Sequence, residues 1–289
     1  MTAAPDVLLI HNATAGRGQR GRIAAVVQRL SQRGYRVTVR VTERAGHAEQ
    51  LARSAAGVPI IVAAGGDGTV NEIVAGLDGA AAVVAVLPLG TANVLALELG
   101  LDRDPDRFAA AVAAGRTVTA WPGEVNGRNF MLMASVGFDA EVVAAVTPAQ
   151  KHRLGKAAYV LAALRLWLAG RQTALRVTVD GTAHAAAGVV VSKSHCYAGR
   201  FVLAPEAGIA VPRLFVVLMA GGRRRDRLRY AWAMLRGRLH LQPDVRVIAA
   251  HEVSVASDAP APVQVDGDIR GATPVLIRVG ARPVRLITA

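Results

Sequence analysis

Residues 60–72 read Ile60-Ile61-Val62-Ala63-Ala64-Gly65-Gly66-Asp67-Gly68-Thr69-Val70-Asn71-Glu72. A short apolar run, the signature of a buried strand, ends in a glycine-rich turn, and a helix is predicted to begin near Thr69. Glycines let the backbone approach a ligand closely. The N–H groups of such a turn and of the helix it opens form a ready anion site. Asp67 stands in the middle of that turn. A carboxylate disfavours a plain anion trap, so it suits either handling of Mg²⁺ or uptake of a proton from an attacking hydroxyl. Capping of the following helix is the alternative role. No Gly-Lys-Ser/Thr follows, so the segment is not a P-loop, and the Gly-x-Gly-x-x-Gly order of the dinucleotide fingerprint is absent.

Working outward, strand and helix patterns alternate. Strands are predicted at Asp6–His11, Tyr35–Val41, Pro59–Ala63 and Ala82–Leu87. Helices are predicted at Arg20–Arg33, Ala48–Ala56, Thr69–Leu77, Ala92–Leu99 and Asp104–Ala114. This alternation implies an α/β domain with a parallel sheet covered by helices. After Trp121-Pro122-Gly123 short strand-like runs dominate, among them Asn129–Val136, Ala174–Val179, Ala186–Ser192, Leu214–Met219 and Val245–Ala249. Helical patterns at Lys156–Leu168 and Asp226–Leu239 interrupt them. The second domain is therefore read as mainly antiparallel β. The boundary falls between 122 and 123, with the extreme C-terminus a candidate to return to the first domain.

Two further polar turns follow predicted strands of the first domain: His11-Asn12-Ala13-Thr14-Ala15-Gly16-Arg17-Gly18 and Pro88-Leu89-Gly90-Thr91-Ala92-Asn93. Open parallel sheets bind ligands beyond the carboxyl ends of their strands. Asn12, Thr14, Thr91 and Asn93 offer hydrogen bonds there, and Arg17 offers a partner for phosphate. Each loop is also a plausible plain turn with a capped helix.

The 289 residues suit two domains. An apolar content of 52% implies a folded chain, and an aromatic share of 4% argues against stacking on nucleic-acid bases. The net charge of +13 favours an anionic partner. Only Lys151, Lys156 and Lys193 are lysines, so the basic charge is almost all arginine and part of it reflects compositional bias. Cys196 is the one cysteine, which excludes an intrachain disulfide and fits a reducing cytoplasm. The N-terminus shows no signal-peptide pattern, and Ala157–Gly170, interrupted by Arg165, is too short to span a bilayer. The histidines His47, His152, His195 and His251 show no metal-ligand spacing.

Gly65–Glu72 together with Leu87-Pro88-Leu89-Gly90-Thr91-Ala92-Asn93 resembles the diacylglycerol kinase catalytic-domain family, which includes bacterial soluble lipid kinases and sphingosine kinases. The Gly-Gly-Asp-Gly-Thr element is shared with phosphofructokinases and NAD kinases. The Val-Asn-Glu extension and the Leu-Gly-Thr-Ala-Asn loop sharpen the match. Asn12–Gly16 resembles the family's Asn-Pro-x-Ala-Gly loop, with Ala13 in the place of proline. Ser135–Glu141 resembles its Gly-Phe-Asp element, Tyr197–Pro205 a segment of its β domain, and Asp266-Gly267-Asp268 its Asp-Gly-Glu.

The resemblance implies an NAD-kinase- or phosphofructokinase-like first domain and a lipid-binding second domain. It implies an ATP-dependent lipid kinase that acts with Mg²⁺ on diacylglycerol or a related lipid alcohol. Asn12, Ala13, Thr14, Ala15, Gly16, Thr42, Gly65, Gly66, Asp67, Gly68, Thr69, Asn71, Glu72 and Thr91 would contact ATP. Asp268, Asp266 or Asp67 would accept the proton, and Asp139 would sit near the acceptor headgroup. Arg17, Arg153 and Lys156 would neutralise phosphate. Two departures stand out. Asp268 replaces the family's Glu and reaches about 1 Å less, a shortfall that costs roughly a hundredfold in rate if nothing compensates. Bacterial members often carry Leu-Asp-Asp-Gly after the Ala-Pro element, where a structural Mg²⁺ binds. Here Ile209-Ala210-Val211-Pro212-Arg213 lacks carboxylates, so no dedicated structural metal site is expected.

Residues 223–239 combine arginines with Leu228, Trp232, Leu235 and Leu239 at helical spacing, the composition of a helix lying on an anionic membrane. The alternative is that this apolar stripe packs inward on the β domain. The chain is thus read as cytoplasmic, with peripheral contact at the inner membrane face, no nucleic-acid partner, and a homodimer compatible with the sequence. Rival functions are a kinase of a soluble acceptor and a non-catalytic module that binds nucleotide or anionic lipid.

Overall fold

The computed structural model describes residues 5–13, 19–77, 79–170, 173–197, 199 and 201–289. The chain forms two compact units, Met1–Pro122 with Ala281–Ala289, and Gly123–Gly280.

The first unit contains β1 (Asp6–Asn12), α1 (Arg20–Gln32), β2 (Arg36–Thr42), α2 (His47–Arg53), β3 (Ile60–Gly65), α3 (Asp67–Leu77), β4 (Val83–Pro88), α4 (Val94–Glu98), α5 (Pro105–Ala114) and β5 (Thr117–Ala120). The sheet runs β2-β1-β3-β4, then the C-terminal strand Val284–Ile287, then β5. All neighbours are parallel except the last pair. In β1, β3 and β4, runs such as Val7–Ile10, Ile61–Gly65 and Val84–Pro88 are buried without alternation, so both faces of the sheet are covered. The helices pair as α1 with α5 and α2 with α3. At Gly76 of α3 an added Cβ would lie 2.3 Å from the Glu49 carbonyl, so glycine sets how closely α2 and α3 approach. Local signals agree with the tertiary contacts: the Asp104 carboxylate caps α5, Pro105 opens it, and Gly115 in the left-handed region ends it.

The second unit is antiparallel throughout. It contains β6 (Gly123–Val125), β7 (Arg128–Phe130), β8 (Met133–Gly137), α6 (Phe138–Ala145), α7 (Pro148–Leu154), α8 (Lys156–Ala169), β9 (Leu175–Val179), β10 (Thr182–Ala186), β11 (Gly188–Ser192), β12 (Cys196–Tyr197), β13 (Phe201–Val202), β14 (Leu214–Met219), α9 (Arg224–Leu235), β15 (Val245–Ala250), β16 (Glu252–Ser257), β17 (Pro262–Val265), β18 (Asp268–Ala272) and β19 (Val275–Val279). Two six-stranded sheets, β10-β9-β16-β19-β6-β7 and β15-β14-β11-β8-β17-β18, share one core. Phe130, Val177, Val253 and Ile277 meet Val136, Val191, Val216 and Val263 there.

The expected strand Asn129–Val136 is two strands. The N–H groups of Met131, Leu132 and Met133 turn to the Asp266 carboxylate and so leave the ladder. The expected strand Ala186–Ser192 divides at Ala187 into the end of β10 and all of β11. The helix expected to reach Leu239 ends at Leu235, where Gly237 adopts a left-handed φ of 64° and a short 3₁₀ turn, Leu239–Leu241, follows. Helix α6 carries no clear apolar periodicity, so its sequence gives no helix signal.

Candidate functional site

The strand order puts β1 between β2 and β3. The chain leaves β1 in one direction to reach β2 and lies in the other direction at β3 and β4. The β1/β3 boundary is therefore the topological switch point, beyond whose carboxyl ends open α/β sheets hold ligands. Asn12 ends β1 and is paired in register with Thr42, which ends β2. Gly65 ends β3, paired with Pro88 at the end of β4. Asn12 Nδ2 donates to Thr69 Oγ1 at 3.0 Å and so bridges that boundary. Ala13 is exposed just beyond β1. Thr14, Ala15, Gly16 and Arg17 lie outside the described residues.

The glycines of the turn do different jobs. A Cβ on Gly65 would lie 2.4 Å from Thr69 Oγ1, so Gly65 lets Thr69 fold back over the strand end. A Cβ on Gly90 would lie 2.5 Å from Gly66 Cα, so these two backbones touch. The contact is locked by the Leu89 N–H donating to the Gly65 carbonyl at 2.9 Å. The loop after β4 is closed by Asn93, in the left-handed region, whose Oδ1 accepts the Gly90 N–H at 2.9 Å and whose Nδ2 donates to the Gly90 carbonyl at 2.8 Å. Gly68 is different: among the described residues, a Cβ there would meet nothing within 4 Å. Packing among the described residues therefore does not require glycine in the first turn of α3. Thr91 is exposed on the adjoining loop.

Asp67 serves as a cap, as one reading of the sequence had it, but of a different helix. Its carboxylate accepts the N–H groups of Val94 at 3.2 Å and Leu95 at 3.1 Å, at the start of α4. Burial pushes its carboxyl above the usual range, against the pull of those N–H groups. Glu72 accepts the N–H groups of Gly46 at 2.9 Å and Ala48 at 3.2 Å and so holds the start of α2. Among the described residues, the buried Asn71 Oδ1 has no hydrogen-bond partner.

In the second unit the Asp266-Gly267-Asp268 turn separates two roles. Asp266, with φ 48°, accepts N–H groups from Met131 at 2.9 Å, Leu132 at 3.0 Å and Met133 at 2.8 Å. Its carboxylate holds the turn. Asp268 is exposed at the start of β18, and among the described residues no backbone group holds its carboxylate.

Asp139 follows Gly137, whose positive φ and close approach to the Ala187 carbonyl and Gly188 allow the sharp strand-to-helix turn. The Ser135 and Tyr197 hydroxyls both donate to the Asp139 carboxylate. Burial holds the Asp139 carboxyl above its usual range, while these two donors oppose the shift. Tyr197 is driven well above the ordinary tyrosine range, first by burial and then by the Asp139 charge. Gln264, in register with Ser135 across β17 and β8, is 5% exposed, and its Oε1 has no partner among the described residues. Ser135 and Tyr197 open the two motifs of this domain quoted above, without a role assigned to either, and Gln264 carries no sequence signal because the Ser135 it pairs with lies on another strand. Arg153 is exposed on α7. The Lys156 side chain lies outside the described residues.

Residues 6–125 match the family model described as diacylglycerol kinase catalytic domain, and residues 133–288 match the model described as YegS C-terminal NAD kinase beta sandwich-like domain. The diacylglycerol kinase of Bacillus subtilis is 29% identical over 274 residues, covering 92% of this chain and 90% of that protein. A Pseudomonas aeruginosa protein named "Probable lipid kinase YegS-like" is 39% identical over 165 residues, covering 55% of this chain and 52% of its own length. The alignment spans about half of that relative. The crystal structure of a diacylglycerol kinase from Bacillus anthracis str. Sterne superposes with a TM-score of 0.80 at 20% identity, over 100% of this chain and 98% of that one, which shows a shared fold.

Proposed function

Because the chain belongs to the family that joins a diacylglycerol kinase catalytic domain to a YegS-type β-sandwich domain, we propose that it is an ATP-dependent kinase of diacylglycerol or a related lipid alcohol. The observation that carries this reading is the Asn12–Thr69 bridge over the β1/β3 switch point, with the open first turn of α3 beside it. The nucleotide triphosphate lies against that turn, and backbone N–H groups and the helix dipole stabilise charge on the transferring phosphoryl. In the transfer the acceptor oxygen bonds to the γ-phosphorus as the bond to the β-phosphate oxygen breaks, releasing ADP. The hydroxyl proton goes to Asp268, the aspartate of its turn whose carboxylate no backbone group among the described residues occupies. The desolvated Asp139 carboxyl, flanked by Ser135, Tyr197 and Gln264, orients the acceptor headgroup through hydrogen bonds.

Mg²⁺ bound with the phosphates would neutralise developing charge there. Asp67 fits such an ion, since it is a buried carboxylate held by backbone N–H groups alone and offers hard oxygen ligands. Among the described residues no group of three or more His, Cys, Asp or Glu forms a metal site by itself. A lipid acceptor is met at a membrane surface, and no helix among the described residues is long and apolar enough to cross one.

The test is transfer of label from γ-labelled ATP to diacylglycerol and other lipid alcohols in mixed micelles, with NAD as a soluble control. Label in a lipid monophosphate supports the reading. Label only in the soluble acceptor, or ATP binding with no product from any acceptor, overturns it.

A further inference from the structure

Helices α8 and α9 are amphipathic in the reverse of the usual sense. In α8 the buried residues include Ala158 and Ala162, while Val160 (67% exposed), Leu161, Leu164 and Leu168 face solvent. In α9 Tyr230 and Ala233 are buried, and Leu228, Trp232 (58%) and Leu235 (60%) face outward at positions i, i+4 and i+7. The two helices are tied where they adjoin: Trp167 Nε1 donates to the Arg224 carbonyl at 3.0 Å, and the Arg224 guanidinium donates to the Leu168 carbonyl. Large aliphatic and indole side chains exposed together on adjoining helices mark an interaction surface.

Among the described residues, the exposed charges of these two helices and their ends are of one sign. Arg165, Arg223, Arg225, Arg236 and Arg238 are exposed, and the Arg236 guanidinium lies 4.3 Å from the centroid of the Trp232 ring. Helix α8 contains no acidic residue. The one acid of α9, Asp226, accepts the Arg223 N–H at 3.1 Å and meets Arg229. A second copy presenting the same face would oppose arginine to arginine. A bilayer with anionic headgroups offers hydrocarbon to the leucines and Trp232 and negative charge to the arginines at once.

We propose that the outward faces of α8 and α9 form a docking surface for an anionic lipid bilayer. This deepens the lipid-kinase reading and rests on it for the reason that a bilayer is met at all, yet its test does not need turnover. The full chain is sedimented with vesicles of phosphatidylcholine alone and of phosphatidylcholine with phosphatidylglycerol, and its oligomeric state is measured by light scattering. Wild type is expected to bind the anionic vesicles, and less so as salt is raised. Replacing Leu228, Trp232 and Leu235 by serine should weaken that binding by about a hundredfold through lost apolar burial. ATP binding should be unchanged, which separates this proposal from the fate of the kinase reading. In a Trp121→Phe/Trp167→Phe background, Trp232 fluorescence should shift to the blue on anionic vesicles and be quenched by brominated acyl chains. The proposal is overturned if wild type ignores anionic vesicles, if the serine variant binds them as wild type does, or if the face instead makes a dimer that the variant dissolves.

In the second unit Lys193 is fully buried, and its Nζ donates to the carbonyls of Val211 at 2.5 Å and Arg213 at 2.7 Å. Among the described residues no carboxylate pairs with it, and burial lowers its pKa to about 8. The segment it holds, Ile209-Ala210-Val211-Pro212-Arg213, is the one whose lack of carboxylates speaks against a structural Mg²⁺. We infer that the Lys193 side chain is the internal cation of this loop and takes the carbonyl oxygens that a bound metal would otherwise engage. Without nucleotide, wild type should melt at the same temperature in Mg²⁺ and in a chelator, and Lys193→Met should melt lower because two carbonyls lose their donor. Lys193→Asn combined with Ala210→Asp, Val211→Asp and Pro212→Gly should create a chain that Mg²⁺ stabilises. A Mg²⁺-dependent melt of wild type, a wild-type melt of Lys193→Met, or indifference of the fourfold variant to Mg²⁺ overturns the inference.

Discussion

Asp67 Oδ1 accepts the backbone N–H of Leu95 at 3.1 Å, joining the turn after β3 to the helix after β4. One carboxylate therefore both stands in the glycine-rich turn and sets the position of the Gly90–Asn93 loop. Asp67→Asn keeps one acceptor oxygen for the two α4 donors and turns an amide toward the other. A cap loss of this kind costs about 1 kcal/mol. Transfer should fall far more, because the carboxylate charge at the phosphate site is gone. Thermal melts and turnover measured on the same preparation check the split. Full activity in Asp67→Asn would rule out an essential role.

The two faces of the glycine turn make opposite predictions. Gly90→Ala places a Cβ 2.5 Å from Gly66 Cα, backbone against backbone. Overpacking of this sort costs about 1–3 kcal/mol. Gly68→Ala meets nothing within 4 Å, and alanine in a helical turn gains about 0.5–1 kcal/mol over glycine. Gly68→Ala should therefore melt at or above wild type and yet bind ATP poorly, since its methyl enters the space assigned to phosphate. Calorimetric ATP titration of Gly68→Ala is the check. Wild-type affinity would remove the phosphate from this turn.

Asp139 sets a pH dependence whose sign follows from its burial. Its folded pKa is raised above the unfolded value of 3.8. Between the two values the folded chain keeps a proton that the unfolded chain has released, so stability falls as pH rises through that window. Asp139→Asn removes the titration. It should flatten the stability profile across the window and melt higher than wild type at neutral pH, while acceptor affinity drops. Melts from acid to neutral pH, with KM for the lipid, test both halves. A lower neutral melting point would mean that the Ser135 and Tyr197 bonds outweigh the desolvation.

The first unit was legible because each buried strand is an unbroken apolar run closed by glycine or a polar turn, and because the three loops fall at strand ends. The breaks were not legible. Phe130 to Met133 form one apolar run, and Asp266, far along the chain, diverts the N–H groups of Met131 and Leu132 within it. The periodicity of Leu228, Trp232 and Leu235 gave a helix but not the side it buries. That was settled by Tyr230 and Ala233 occupying the interior. Tyr197 reaches Asp139 from 58 residues away, a relation that carries no local signal, whereas Ser135 stands four residues before it in the same motif.

The neighbours Asp266 and Asp268 should fail in different ways. Asp266→Asn presents a mixed amide to three backbone N–H groups, and each buried donor left unmatched costs about 1–3 kcal/mol. Its loss should appear in the melt, with activity following the folded fraction. Asp268→Asn touches no structural bond and should melt as wild type. If Asp268 takes the acceptor proton, turnover should fall by about 10²–10⁴ with little change in KM for ATP. Asp268→Glu restores the longer side chain that the family carries at this position and should retain or raise turnover. Equal turnover in wild type and Asp268→Asn would remove Asp268 as the base and return that role to Asp67, the remaining aspartate at the phosphate turn.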